Sequence, residues 1–470
     1  MSESIQDKAA LFATLPAPWP QPLLPAIREA LAARPERLVV LDDDPTGTQT
    51  VHGVPVLTQW PVAALAEELA RSPVFYLLTN SRSLGTPQAR TLAREVGANL
   101  RAAAQQAGRP VVVASRSDST LRGHYPAEVD ALGEALGGGF AGTILAMFFE
   151  EGGRFTVGDV HYVQQGTNLV PAAQTEFAQD RSFGYRHSDL RAYVEEKTGG
   201  RVRAADVVRV TLDDLRRGGP DAVAARLAQV PTGGVAVVNS AAYRDQEVFV
   251  AGLLQAEAAG RRFLYRCAAS FVRVRAGLDA RPLLSGAEMR GPGTGGGLVV
   301  VGSHVAKSSE QLRHLLAAPG VHGVELRVPA LLDAASRDAE VAAALRAVAT
   351  QMAAGQDAVL YTSRDLHTGA DTAANLAIGA TVSEALCSVV RRLQRPPRFL
   401  IAKGGITSSD VATRGLGVRR ALVLGQIQPG VPVWRLGDEA RFPGMAYVVY
   451  PGNVGAPDGI AQAVALLRGG

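Results

Sequence analysis

The sequence predicts an α/β protein of two domains, each a mostly parallel sheet flanked by helices, with a cleft between them. Short apolar runs alternate with longer amphipathic stretches, the pattern of strand and helix in succession. Hydroxyl-rich and charged clusters follow those runs directly, where an open α/β sheet binds its ligands. At 470 residues the chain exceeds one ordinary core, so its length implies more than one domain.

The elements follow in order. Residues 1–25, rich in proline, read as an N-terminal extension, and 26–285 as the first domain. A strand at 37–42 runs into Asp42-Asp43-Asp44-Pro45-Thr46-Gly47. A helix at 61–72 starts on a proline, which suits a first turn. The strand at 74–78 ends in Thr79-Asn80-Ser81-Arg82-Ser83, and a helix spans 87–107. The strand at 111–114 leads into Ser115-Arg116-Ser117-Asp118-Ser119-Thr120-Leu121-Arg122-Gly123-His124, then a helix at 126–136 and a strand at 143–149. Residues 150–186 break the rhythm: they read equally as a binding loop and as a surface hairpin with 156–163 as an edge strand. Helices at 188–197, 221–229 and 245–259 then alternate with strands at 205–211, 235–238 and 263–266, and the stretch around Ser270 and Arg273 reads as strand and loop.

Residues 286–297, with Gly-Pro-Gly-Thr-Gly-Gly-Gly, read as a linker, and 298–470 as the second domain. Its strands fall at 298–301, 323–328, 358–361, 399–402, 419–424, 431–435 and 446–450. Helices start near Lys307 and span 338–354, 371–394 and 458–468.

Composition narrows the function. Apolar content of 47% and charged content of 20% are ordinary for a globular protein. The net charge of +4 is small for the length, and no basic run carries interleaved aromatics, so no nucleic-acid partner is expected. Cys267 and Cys387 stand in unrelated contexts and give neither a disulfide framework nor zinc spacing. The start of the chain lacks a signal pattern, and no apolar run is long enough for a bilayer. The expectation is a cytoplasmic protein with no membrane partner; a homo-oligomer is left open.

Two constellations carry chemistry. At the first, Asp43, Asp44, Ser81, Arg82, Asp118 and Arg122 share the edge where the strands end. Adjacent carboxylates repel and gain nothing from packing, so they read as holding a polar substrate or a metal-phosphate. The plain alternative is a solvated acidic turn in which Asp44 caps a bend. Arg82, Arg116 and Arg122 are forked donors for a carboxylate or phosphate, or else partners of surface acids. Asp43, Asp44 and Asp118 offer hydroxyl acceptors or a base. Both signs of charge suit a polyhydroxylated acid. His124 and His161 could act as acid or base, but read better as residues that merely pack or fray into solvent, and Cys267 reads as a small buried hydrophobe.

At the second, Lys403-Gly404-Gly405-Ile406-Thr407-Ser408 follows a strand and opens a helix, a plausible phosphate cradle. The lysine precedes the glycines, so this is not a Walker A loop, and Ser408, Ser409 or Asp410 serve equally as a helix cap. Gly302-Ser303 and Gly452-Asn453 are further glycine and hydroxyl clusters after strands, and Lys307 and Lys403 are compact ammonium groups beside them. A domain for a polar acid and a domain for a nucleotide suggest phosphoryl transfer, with Mg²⁺ and cationic side chains neutralising charge.

The segments Asp42 to Gly47, Asn80 to Ser83, Ser117 to Gly123, Gly404 to Ser408 and Gly452 to Gly455 occur in an order that resembles the four-carbon acid sugar kinases, over residues 36–468. The resemblance implies a kinase using ATP on threonate-, erythronate- or 3-oxo-tetronate-like acids. It implies a sugar-acid-binding first domain, with Ser81, Arg82, Asp118 and Arg122 on the substrate side, and a nucleotide-binding second domain. ATP contacts are implied at Ser303, Gly404, Gly405, Ile406, Thr407 and Gly452. Ile406 stands where shorter members carry Glu, and Gln49-Thr50-Val51-His52 resembles a longer-chain subgroup. Two other classes remain: a sensor that binds nucleotide and sugar acid without turnover, and a lyase or aldolase acting on a phosphorylated acid without ATP.

Overall fold

A computed structural model describes residues 4–365, 367 and 372–469. Met1 to Glu3 of the extension, Asp371 at the start of the helix expected at 371–394, and Gly470 lie outside the described residues. The chain forms two compact units, one of Met1–Val51 and Gln59–Ala280, the other of His52–Thr58 and Arg281–Gly470.

In the first unit seven strands lie parallel, in the order Val208–Val210, Gly234–Val238, Gly142–Ala146, Phe263–Cys267, Val111–Arg116, Arg37–Asp42 and Val74–Leu78. Most of their residues are buried, as a parallel sheet covered by helices requires. The chain leaves Arg37–Asp42 for Val74–Leu78 on one side, then crosses to Val111–Arg116 on the other. Such a reversal opens a crevice at the carboxyl ends of the strands, and here the Asp42-Asp43-Asp44 turn occupies it.

Residues 150–186 divide between the two readings: 154–171 form paired strands, and 172–186 run through two short 3-10 turns and irregular chain. Arg154–Val157, Val160–Gln165 and Asn168–Pro171 pair antiparallel, and Gln6–Asp7 from the N-terminal extension adds a fourth strand. Reciprocal backbone bonds between Thr156 and Ser240, 3.0 and 2.9 Å, tie the hairpin to the end of the Gly234–Val238 strand. The helix Ala269–Arg275 replaces the strand and loop expected around Ser270 and Arg273.

In the second unit five parallel strands run in the order Ala446–Tyr450, Leu400–Lys403, Leu298–Val301, Asp357–Thr362 and Val321–Leu326. Antiparallel strands Val431–Leu436, Arg420–Gln428 and Val54–Leu57 extend this sheet beyond Ala446–Tyr450. The sequence reading leaves Val54–Leu57 inside the first domain and without a strand; Pro55 in so short a run weakens the signal. The chain reverses direction again around Leu298–Val301, which lies between Asp357–Thr362 and Leu400–Lys403.

Buried arginines in the first unit set a standard for charge compensation. Arg216 meets Asp245 through both arms, at 2.7 and 2.8 Å, and the second carboxylate oxygen also accepts the Ala241 and Ala242 N–H groups. Removing one partner of such a pair strands the other charge. Asp245→Ala is expected to lower unfolding free energy by about 3–5 kcal/mol in urea titrations, against less than about 1 kcal/mol for truncating the exposed pair Arg217 and Asp213.

Candidate functional site

The Arg37–Asp42 strand delivers three aspartates into the first unit's crevice, and each has a different environment. Asp42 is buried and accepts from Arg116 Nη1 at 2.9 Å. Burial pushes its carboxyl up to about 7, against the pull of Arg116. Gly47 is required here, because a Cβ would lie 2.0 Å from Asp42 Oδ1. Asp43 is also buried; its Oδ2 accepts from Ser117 Oγ, and its Oδ1 stands 3.3 Å from Arg82 Nη2 without a hydrogen bond.

Asp44 is half-buried and divides its oxygens. Oδ1 accepts from Thr46 N at 2.8 Å and caps the Pro45–Thr48 turn, while Oδ2 lies 2.9 Å from Arg82 Nη2. Burial favours its neutral form, but Arg82 and the Thr46 N–H outweigh that and hold the carboxyl below its ordinary value. Asp44 thus caps the turn with one oxygen and faces Arg82 with the other. Arg82 also reaches Asp118 Oδ1 at 3.4 Å. Asp118 Oδ2 accepts from Arg122 Nε at 2.7 Å and from Thr120 Oγ1. Burial works against its charge, yet Arg122 and Arg82 hold it well below the usual carboxylate range.

The remaining substrate-side expectations sort by direction. Arg82 and Arg122 keep part of their side chains exposed, as do Asp44 and Asp118. Ser81 and Arg116 do not face outward. Ser81 is fully buried, its hydroxyl donating to Glu128 Oε1 at 3.0 Å, and Arg116 lies behind the turn on Asp42. Both therefore position the turn rather than present a free donor. His124 bonds the Ser81 carbonyl at 3.0 Å and Thr86 Oγ1 at 3.2 Å; buried His161 bonds Thr156 Oγ1 and the Ser119 carbonyl, and burial pushes it down to about 4. Burial pushes the Cys267 thiol up to about 12, as befits a small buried side chain.

Sequence reasoning missed Glu128, Arg266 and Arg154. Glu128 lies on the helix Ala127–Ala135, where charged residues ordinarily face solvent. Arg266 is fully buried and donates to the Arg122 carbonyl at 2.6 Å, fixing the loop around Gly123. Arg154 sits on the hairpin, far along the chain from the acidic turn; only its guanidinium chemistry signals a role.

In the second unit the glycine and hydroxyl clusters meet at the carboxyl ends of neighbouring parallel strands. Gly404 N donates to the Tyr450 carbonyl at 2.8 Å, and Ser308 Oγ bonds Ser303 Oγ at 2.9 Å and the Gly452 carbonyl at 3.4 Å. Gly404 has φ +110° and a Cβ there would lie 3.0 Å from Ser303 Cβ; one on Gly302 would lie 2.4 Å from Thr407 Oγ1. Backbone thus comes close in a cradle that side chains would fill. Gly405 is half-buried, Asn453 exposed, and Ile406 59% exposed despite its apolar side chain. Ser408 is turned inward, its hydroxyl on the Ala402 carbonyl at 2.8 Å. Lys403 is likewise buried: its Nζ donates to the Pro451 and Gly452 carbonyls at 2.6 and 3.1 Å, so it braces the loop, and burial lowers its pKa to about 7. Among the described residues no group of three or more His, Cys, Asp or Glu is arranged to hold a metal ion, and no helix is long and apolar enough to cross a membrane.

Two parallel-sheet units, one with a mixed carboxylate and guanidinium crevice and one with a glycine cradle, define a class that binds a polar small molecule and a nucleotide. Family models agree: residues 38–275 match a sugar-binding N-terminal domain and 298–460 a nucleotide-binding C-terminal domain. The chain belongs to the four-carbon acid sugar kinase family. Solved structures share the fold. A Salmonella typhimurium LT2 protein described as a putative tRNA synthase aligns at 18% identity and TM-score 0.65, over 91% of this chain and 98% of its own. Haemophilus influenzae protein HI1011 aligns at 18% identity and TM-score 0.61, over 91% of this chain and 100% of its own. No curated protein matches the sequence.

Glu128 gives the crevice a pH signature. Burial, with Asp43 adding repulsion, raises its carboxyl from 4.5 to about 7. The folded state then binds its proton more tightly than the unfolded state, so this contribution is full below about 4.5 and lost as pH rises through about 7. Glu128→Gln, which keeps an acceptor for Ser81, is expected to flatten the fall in unfolding free energy between about pH 5 and 7.5 by on the order of 2 kcal/mol. Asp42, shifted the same way, leaves part of the slope in place.

Proposed function

We propose that the protein is an ATP-dependent kinase that phosphorylates the terminal hydroxyl of a four-carbon sugar acid of the threonate, erythronate or 3-oxo-tetronate type. The observation that carries this reading is the pairing of chemistries in one chain. An acidic turn with partly exposed Arg82 and Arg122 suits a hydroxylated anion, and a glycine cradle at Ser303, Gly404, Gly405, Thr407 and Gly452 suits a triphosphate. The sugar-binding and nucleotide-binding descriptions of the two domains support the same assignment.

In this reading Arg82 and Arg122 hold the acid, and Asp44 accepts the hydrogen bond of the reacting hydroxyl. A carboxylate kept ionised by Arg82 is a weak base, which suits a transfer whose catalysis is mainly positioning and charge stabilisation. Asp43 and Asp118 keep Arg82 oriented. In the second domain the backbone of Gly404 to Thr407 and the Ser303 hydroxyl receive the phosphates, and exposed Ile406 offers an apolar surface to the base. The donors there are hydroxyls and N–H groups, so Mg²⁺ would be held mainly by the phosphates and water, with Ser303 or Thr407 within the same cradle; it would supply charge neutralisation.

Asp44→Asn is expected to lower kcat about 10²- to 10⁴-fold with a four-carbon acid, read as coupled ADP release, while ATP affinity stays within about twofold. Normal turnover in this variant would remove Asp44 from the reaction.

A further inference from the structure

A guanidinium that is partly enclosed and faces no carboxylate is placed to receive an anion. Arg154 is such a group: it is half-buried, with its Nε enclosed. It opens the hairpin strand Arg154–Val157, with its backbone bonded both ways to Phe149. Its Nη1 donates to the Gly152 carbonyl, its Nε is buried with no partner, and it makes no ion pair among the described residues. The more deeply buried arginines of this unit differ: Arg116 lies 2.9 Å from Asp42, Arg216 2.7 Å from Asp245 and Arg275 2.9 Å from Glu257. Among the described residues Arg266 has no ion pair either, but it is fully buried behind the Gly123 loop and inaccessible to a ligand.

The surroundings of Arg154 are those of the crevice. Its guanidinium lies 5.7 Å from the centre of the Phe177 ring, and that of Arg122 lies 5.0 Å from the same ring. The carboxylates that act on Arg154 are committed or solvated: Asp118 is bonded by Arg122 and Thr120, and Glu176 is exposed; Asp180 lies 3.7 Å from Arg122. Burial, and then the like charge of Arg122 against the pull of Asp118, keep Arg154 below the ordinary arginine range. Two guanidinium groups thus flank one aromatic ring, and one of them lacks an anion.

We infer that Arg154 binds the carboxylate of the sugar acid, so that the hairpin of residues 154–171 is the element that selects acids over neutral polyols. The inference rests on the proposed substrate class. It assigns the guanidinium fork of Arg154 to the C1 carboxylate and leaves the hydroxylated end of the acid to Arg82 and Asp44. The stretch after residue 150 is then a recognition element whose arginine is carried on a paired strand rather than on a free loop.

Calorimetry on the full chain with threonate, erythronate and the matching neutral amides tests this, without nucleotide. Arg154→Met is expected to weaken binding of the acid about 10- to 100-fold and to leave the amide unchanged, and Arg154→Lys to recover part of the loss. Equal losses for acid and amide, unchanged acid binding, or failure of the wild type to bind any of these acids would overturn the inference. ADP release separates it from the kinase reading. Acid binding that depends on Arg154 with no ADP release defeats the kinase and leaves the carboxylate site; wild-type acid affinity and ADP release in Arg154→Met defeat the carboxylate site alone.

Discussion

Arg82 is the interaction on which the first domain's crevice depends. One guanidinium stands 3.3 Å from Asp43, 2.9 Å from Asp44 and 3.4 Å from Asp118. Those carboxylates come from two different strand ends, and without a cation between them their repulsion would push the ends apart. Burial opposes the charge on Arg82, but the surrounding aspartates hold its pKa above the ordinary arginine value. The cation belongs to the crevice as much as the carboxylates do, and the crevice keeps its shape only while both are present.

The supporting shell follows from that constraint. Arg116 braces Asp42 from behind, Ser117 braces Asp43, and Gly47 exists because the backbone must pass against the Asp42 carboxylate. The left-handed backbone of Asn80, with φ 51°, swings the chain from the Val74–Leu78 strand into the short turn where Ser81 faces inward and Arg82 outward. The second domain uses backbone where the first uses charge. Lys403 commits its ammonium to two loop carbonyls, and close approach at Gly302 and Gly404 makes the cradle.

Much of this was legible in the sequence, for physical reasons. Strands such as Arg37–Asp42 and Leu298–Val301 are continuous apolar runs closed by turn residues, and the polar residues after them fall on the carboxyl edge because the strands are parallel. Asp44, Arg82, Asp118 and Arg122 could be grouped on that ground. Direction was not legible. Ser81 and Arg82 are neighbours, yet one is buried and one partly open, because they are successive residues of a short 3-10 turn and so face different ways. Glu128 and Arg154 escaped because a lone charge on a helix or hairpin looks like surface until its tertiary neighbours are known. Val54–Leu57 escaped because its partner strand, Arg420–Gln428, lies far along the chain and a proline interrupts its run.

The charged crevice of the first domain and the glycine cradle of the second are proposed to serve one transfer of phosphate to a sugar acid. Phosphorus NMR of the full chain with Mg·ATP and a panel of four-carbon acids tests this most directly. The expected result is a new phosphomonoester signal, coupled to the terminal methylene protons of one acid, growing as ADP appears. ATP left intact with every acid, or hydrolysed only to inorganic phosphate, would contradict it.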